Sequence, residues 1–284
     1  MPRHGTVYVW AVVGLIATSA EAQWLNHPTP GIPRLSDGRP DLNAPAPRLA
    51  NGKPDLTGMW GDECMNGTPC FQEKNRFFDI SRGLDPAAVV LTEWAAAVQR
   101  QRQSRDRIDD PYASCLPPGI PRMYFNNPFK ILVTPMVTAF LHETAVGSTF
   151  RQVYTDGRSL PEVIEPARLG YSIGRWEGDT FVVESAWFRD GLWLDTTMAR
   201  PTSDALRLTQ RFTRENVGHT TLAITVDDPK AFVKPFTVTT NLKLLADTDL
   251  LESFCDNQRN ILPHLVVRPG APEPPSPPLP NSSK

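Results

Sequence analysis

The sequence predicts a mainly β chain: an antiparallel up-and-down barrel of about eight strands, preceded by a Pro-rich strap and one helix. Three observations carry this. From Lys130 to about Cys255, short apolar-rich segments alternate with turn signals at hairpin spacing. No strand-helix-strand alternation occurs in that region, so parallel βαβ units are not expected. Upstream of it, only one stretch has helical periodicity.

Residues 1–22 read as a secretory signal peptide. Arg3 and His4 precede an apolar run over 6–17, and Ala20-Glu21-Ala22 puts small residues at a cleavage point before Gln23. The run is shorter than the ~20 residues of a spanning helix, so export without stable membrane insertion is expected, to the periplasm or outside the cell. Export favours pairing of the four cysteines. Cys64 and Cys70 bracket a Gly- and Pro-containing turn and are expected to bridge locally, leaving Cys115 with Cys255. Zinc fits poorly, since C-x5-C is not a zinc-knuckle spacing and no His lies near.

Residues 23–56 form the strap, in which Pro33–Leu42 recurs as Pro47–Leu56. Each copy carries an Asp-Gly or Asn-Gly turn followed by Arg-Pro or Lys-Pro, a tight turn between extended arms. Asp37, Asp41 and Asp55 match no calcium loop. Residues 57–129 hold the helix, which starts near Asp85-Pro86 or Thr92-Glu93. Its apolar stripe comprises Ala87, Val90, Leu91, Trp94, Ala95 and Val98, and its basic end is expected to be solvated. The barrel occupies 130–262, with strands expected at 130–142, 149–155, 170–176, 180–188, 206–214, 220–226, 232–244 and 250–255. A disordered Pro-rich tail, 263–284, follows.

Leu56-Thr57-Gly58-Met59-Trp60 has the G-x-W pattern that opens lipocalin-like (calycin) barrels. The segments Cys115–Arg122 (CLPPGIPR), Arg151–Arg158 (RQVYTDGR) and Gly170–Thr180 (GYSIGRWEGDT), with Trp193-Leu194-Asp195 and Asp227-Asp228-Pro229, resemble a largely uncharacterised family of exported bacterial lipocalin-like proteins. The likeness spans roughly residues 47–256. It implies a barrel with an N-terminal elaboration and no particular activity. About 70 residues separate Trp60 from the next strand, unlike a lipocalin, so that insertion must wrap the barrel or cap its mouth.

A net charge of −2 and interspersed charges argue against nucleic-acid partners. No G-x-G-x-x-G, P-loop, G-x-S-x-G or H-E-x-x-H motif occurs, so no cofactor or metal is expected; His219 and His264 stand alone. Glu184 falls among apolar neighbours in its strand, where burial would raise its pKa toward that of a general base. The plainer reading pairs it with Arg151, Arg175 or Arg211. His142 ends an apolar strand. Arg151-x4-Asp156-Gly157-Arg158 reads as a hairpin with Arg–Asp pairing across it, or as an anion-binding barrel mouth. Arg175 and Trp176 lie beside a second turn. Tyr154, Tyr171, Trp176, Trp187 and Trp193 are candidates for an aromatic pocket or for ordinary core filling.

The expected function is binding of a hydrophobic or aromatic small molecule, with Arg151 or Arg158 meeting its polar end. The alternative is a cofactor-free acid/base enzyme in the same cavity: an isomerase, lyase or hydratase, and less readily a hydrolase. It would use Glu184 with His142, or Asp156 with Arg158. The oligomeric state is left open.

Overall fold

A computed structural model describes residues 28–65, 68–144, 146–253 and 255. The expected signal peptide, His264 and the Pro-rich tail lie outside the described residues. The fold is mainly β. Nine strands close into one barrel in sequence order: β1 Gly58–Asp62, β2 Phe129–Val133, β3 Val137–His142, β4 Thr149–Tyr154, β5 Tyr171–Glu177, β6 Thr180–Ala186, β7 Arg207–Arg214, β8 His219–Asp227 and β9 Phe236–Leu244. A single turn of helix, α1 Phe71–Lys74, and the twelve-residue α2 Glu93–Ser104 precede β2.

The purely antiparallel meander is corrected at one seam. An odd number of strands cannot alternate direction all the way round a ring, so one neighbouring pair must run the same way. That pair is β4–β5, which is parallel and registers only Val153 with Ser172 and Tyr154 with Ile173. The connection from 155 to 170 carries the chain back along the barrel, which a hairpin cannot do. Asp156-Gly157 therefore opens this connection and not a β4–β5 hairpin. Glu177-Gly178-Asp179 does form the expected hairpin, between β5 and β6.

Three strand expectations change. The segment 130–142 is two strands, because Pro135 sits in a tight turn in which the Thr134 and Val137 backbones bond across it at 3.0 Å. The turn resets the alternation, so Ile131, Phe140 and His142 share the inner face. Residues 250–253 and 255 are not strand. They are held instead by Ser148 N–H donating to the Ser253 carbonyl at 3.2 Å, Leu251 N–H donating to Glu143 at 3.1 Å, and the Cys115–Cys255 bridge. The barrel also begins earlier than residue 130: β1 pairs with both β2 and β9 and closes the ring.

Alternation then fixes the interior. Leu222, Ile224 and Val226 of β8 meet Thr240, Val238 and Phe236 of β9, and Phe181 of β6 meets Phe212 of β7. These side chains are almost fully buried in one contiguous core. The insertion between β1 and β2 adds to it: Tyr124 packs edge-on against Phe129, Phe140 and Phe212. The insertion thus plugs the barrel. A buried bidentate pair, Arg122 with Asp110 at 2.6 and 2.9 Å, anchors it, with the guanidinium over Phe77.

Helix α2 is capped by Thr92, which accepts from Ala95 N–H. Asp85 caps a short 3-10 turn just before it, so each of the two expected starts is a real cap. The stripe is less buried than its periodicity suggests: Ala95 is fully buried, whereas Trp94 and Val90 are exposed. The basic end is not merely solvated, because Arg102 stacks on Trp193 at 4.6 Å.

The strap repeat is a structural repeat. Leu35 N–H bonds the Arg39 carbonyl and Asp41 N–H bonds Pro33; fourteen residues on, Leu49 bonds Lys53 and Asp55 bonds Pro47, with matching lengths. Gly38 and Gly52 hold φ near +85° and +78°, the left-handed region that these turns require. The arginine at the second position of each copy clasps an aspartate beyond the strap. Arg34 grips Asp247 and Arg48 grips Asp179. Cys64–Cys70 and Cys115–Cys255 are the two disulfides, as expected. Among the described residues no helix is long and apolar enough to cross a membrane.

Candidate functional site

Polar side chains inside a packed barrel are costly unless bonded, and here they gather around Arg151. This inward residue of β4 is 2% exposed. Its Nε donates to the Ser172 hydroxyl at 3.1 Å, and Nη1 donates to Tyr124 Oη at 2.7 Å. Nη2 donates to Ser172, Ser185 and Gln210 at 2.9, 2.6 and 2.8 Å. All these acceptors are neutral. Burial lowers the Arg151 pKa from its usual value, while Tyr124 partly restores it. The Tyr124 phenol is pushed up by its own burial, against the opposing pull of Arg151.

His142 lies in the same interior, beside Tyr124 and Phe129. Neither ring nitrogen has a hydrogen-bond partner among the described residues. Burial, with a smaller push from the Arg151 charge, lowers its pKa to about 3. It is therefore neutral at physiological pH.

The cluster reaches the surface at the parallel seam. Because β4 and β5 register over so few residues, the wall is incomplete there. A slot of about 300 Å3 opens, with Phe150, Gln152, Tyr154, Arg168 and Tyr171 around it and Arg151 and Ser172 also on its wall. Phe150 is 65% exposed. Tyr154 and Tyr171 stack at 5.2 Å, and Arg158 covers Tyr154 at 3.9 Å while donating to Tyr171 Oη at 3.1 Å. Asp156 holds Arg158 in place, and that contact lowers the Asp156 pKa. The Arg168 guanidinium has no hydrogen-bond or ion-pair partner among the described residues. Partial burial and the nearby Arg189 charge lower its pKa.

Of the sequence-predicted residues, the structure thus brings together Arg151, Tyr154, Asp156, Arg158 and Tyr171. Arg151 does not pair with Asp156. Glu184 corrects the buried-base reading: it is on the outer face, 2.8 Å from Arg175, and Arg175 also holds Glu177. Glu184 and His142 are on opposite faces of the sheet. Trp176 packs inside against Phe181, Trp187 donates to the Pro161 carbonyl at 3.0 Å, and Trp193 lies under Arg102. Sequence reasoning missed Ser172, Ser185 and Gln210, which stand as polar residues on inward registers that are otherwise apolar. It also missed Tyr124, Phe150 and Arg168. Among the described residues no group of three His, Cys, Asp or Glu side chains could hold a metal ion.

No protein-family model matches the chain, and searches of curated proteins and of solved structures find no match.

Proposed function

We propose that this is an exported barrel protein that binds a small aromatic molecule with an anionic end at the β4–β5 seam. One observation carries the reading: exposed and stacked rings line a slot whose walls include a guanidinium without a partner. Rings of this kind receive a flat apolar body, and the planar Arg fork suits a carboxylate. The slot is at the lower end of the ~300–1,000 Å3 range of small-molecule sites. The two disulfides suit an oxidising compartment, and export through residues 1–22 belongs to the proposal. So does membership of the lipocalin-like family, since segments that carry that resemblance supply Arg151, Tyr171 and Ser172 to one site.

The acid/base alternative has less support, because its candidate groups are not assembled: Glu184 and Asp156 are each held by an arginine on the outside. Native mass spectrometry of residues 23–284 mixed with a lipophilic extract of the producing cells tests the choice. Binding predicts an unchanged aromatic acid retained in stoichiometric amount and lost in Arg168→Gln and Tyr154→Ala. A compound released with altered mass supports the enzyme. If nothing is retained, the binding reading fails.

A further inference from the structure

More positive charge meets at the seam than a singly charged ligand can neutralise. The wall of the slot holds two guanidinium groups, Arg151 and Arg168, and no carboxylate. Arg151 is almost fully buried, and every one of its acceptors is neutral. Its hydrogen bonds are spent inside the barrel, so what it adds at the slot is an uncompensated charge, which a low-dielectric wall screens poorly. Asp156, two residues beyond Tyr154, is already held by Arg158. Glu162 and Glu165, on the connection from 155 to 170, are exposed and do not line the slot.

A third arginine stands beside Arg168. Ala167 and Phe188 form a parallel bridge, in which Ala167 N–H donates to the Trp187 carbonyl at 2.9 Å and Arg189 N–H donates to the Ala167 carbonyl at 3.0 Å. The next residues along, Arg168 and Arg189, are therefore neighbours across the bridge, with backbones ~5 Å apart. Phe188 is buried, and Arg189 is exposed. Neither guanidinium has a hydrogen-bond or ion-pair partner among the described residues. The two charges repel, and that repulsion contributes to the lowered pKa of Arg168.

The form of the anion follows from the donors. A carboxylate has two oxygens and is satisfied by one guanidinium fork. A phosphate monoester has three terminal oxygens and carries nearly two charges above its second pKa of ~6. It can accept from both forks at once and relieve their repulsion. Taking the seam as the binding site proposed above, we infer that its ligand is an aryl phosphate monoester: the ring packs against Phe150 and the Tyr154–Tyr171 pair, and the phosphate is held between Arg168 and Arg189. Arg189 is then the residue that selects two charges over one.

Calorimetric titration of residues 23–284 at pH 7.5 with phenyl phosphate, phenyl sulfate and inorganic phosphate tests this. Phenyl sulfate presents the same tetrahedral head with a single charge. Phenyl phosphate should bind at one equivalent and at least tenfold more tightly than phenyl sulfate. Arg189→Gln, a change on the surface, should weaken phenyl phosphate at least tenfold and phenyl sulfate less than threefold. Phe150→Ala should weaken both aryl esters alike. If phenyl sulfate binds as tightly as phenyl phosphate, or Arg189→Gln weakens the two equally, the assignment of a dianion fails while the seam stands as a site for an aromatic anion. Inorganic phosphate bound as tightly as phenyl phosphate, with indifference to Phe150→Ala, overturns the aryl ester in favour of free phosphate. Binding of neither ester overturns the assignment outright, and the extract experiment then decides the seam reading by itself.

Discussion

His142 should make this barrel acid-labile in a way that one substitution removes. An unfolded chain leaves the imidazole near its ordinary pKa of ~6.5, whereas burial in the barrel lowers it to about 3. Between those values the unfolded state binds a proton that the folded state refuses. Stability therefore rises with pH through this window and is lost as pH falls from ~6.5 toward 3, by about 1.4 kcal/mol per unit. From pH 7.5 to 5 the loss from this residue alone is about 2 kcal/mol. His142→Phe removes the titration and also the ring nitrogens that lack partners, while keeping a flat ring among Tyr124, Phe129 and Phe140. Urea unfolding of both proteins at pH 5 and 7.5 reads the difference, in which the carboxylates common to both cancel. The variant should match the wild type to within about 1 kcal/mol at pH 7.5 and exceed it by about 2 kcal/mol more at pH 5. Parallel pH dependences would falsify the reasoning, since the imidazole would then titrate alike in both states.

Arg151→Met should cost at least about 3 kcal/mol in urea unfolding, because Ser172, Ser185, Gln210 and Tyr124 lose a charged donor together. A loss below 1 kcal/mol would show that the network contributes little. Removing the two disulfides singly should have unequal effects. Their loops span 140 and 6 residues, for which chain entropy gives about 5 and about 2 kcal/mol; equal midpoint shifts for the two Ser-pair variants contradict this account. Arg122→Met should destabilise by about 3–5 kcal/mol, since it strands the buried Asp110 carboxylate. Asp110→Asn combined with Arg122→Met should recover part of that loss, and a double variant as weak as the single one rejects the pairing argument.

The sequence made the barrel legible because most strands alternate cleanly and are bounded by turn residues. The interior of β8 and β9 can be read straight from Thr220 to Val226 and Phe236 to Leu244. It misled at Thr134-Pro135-Met136, where apolar residues on either side of a turn look like one continuous strand. It misled again after Tyr154, because Asp156-Gly157 carries the same local chemistry whether it closes a hairpin or opens a long return. Nothing local marks a strand as parallel; the odd strand count does, and that count needed the distant Gly58–Asp62. The site divided along the same line. Tyr154, Arg158 and Tyr171 stood out as aromatic and cationic residues beside turn signals, and they do meet. Tyr124 did not, since an irregular Pro-rich segment has no periodicity to show which way a ring points. Yet Tyr124 supplies the one acceptor for Arg151 Nη1, beside the strand residues Ser172, Ser185 and Gln210 that take the other bonds. The insertion that fills the barrel also brings the phenol that accepts from the guanidinium, so the elaboration outside the strands and the charge inside them form one structural solution. With the axis of the barrel filled in this way, the proposed ligand site is left to the seam, where two strands register over only two residue pairs.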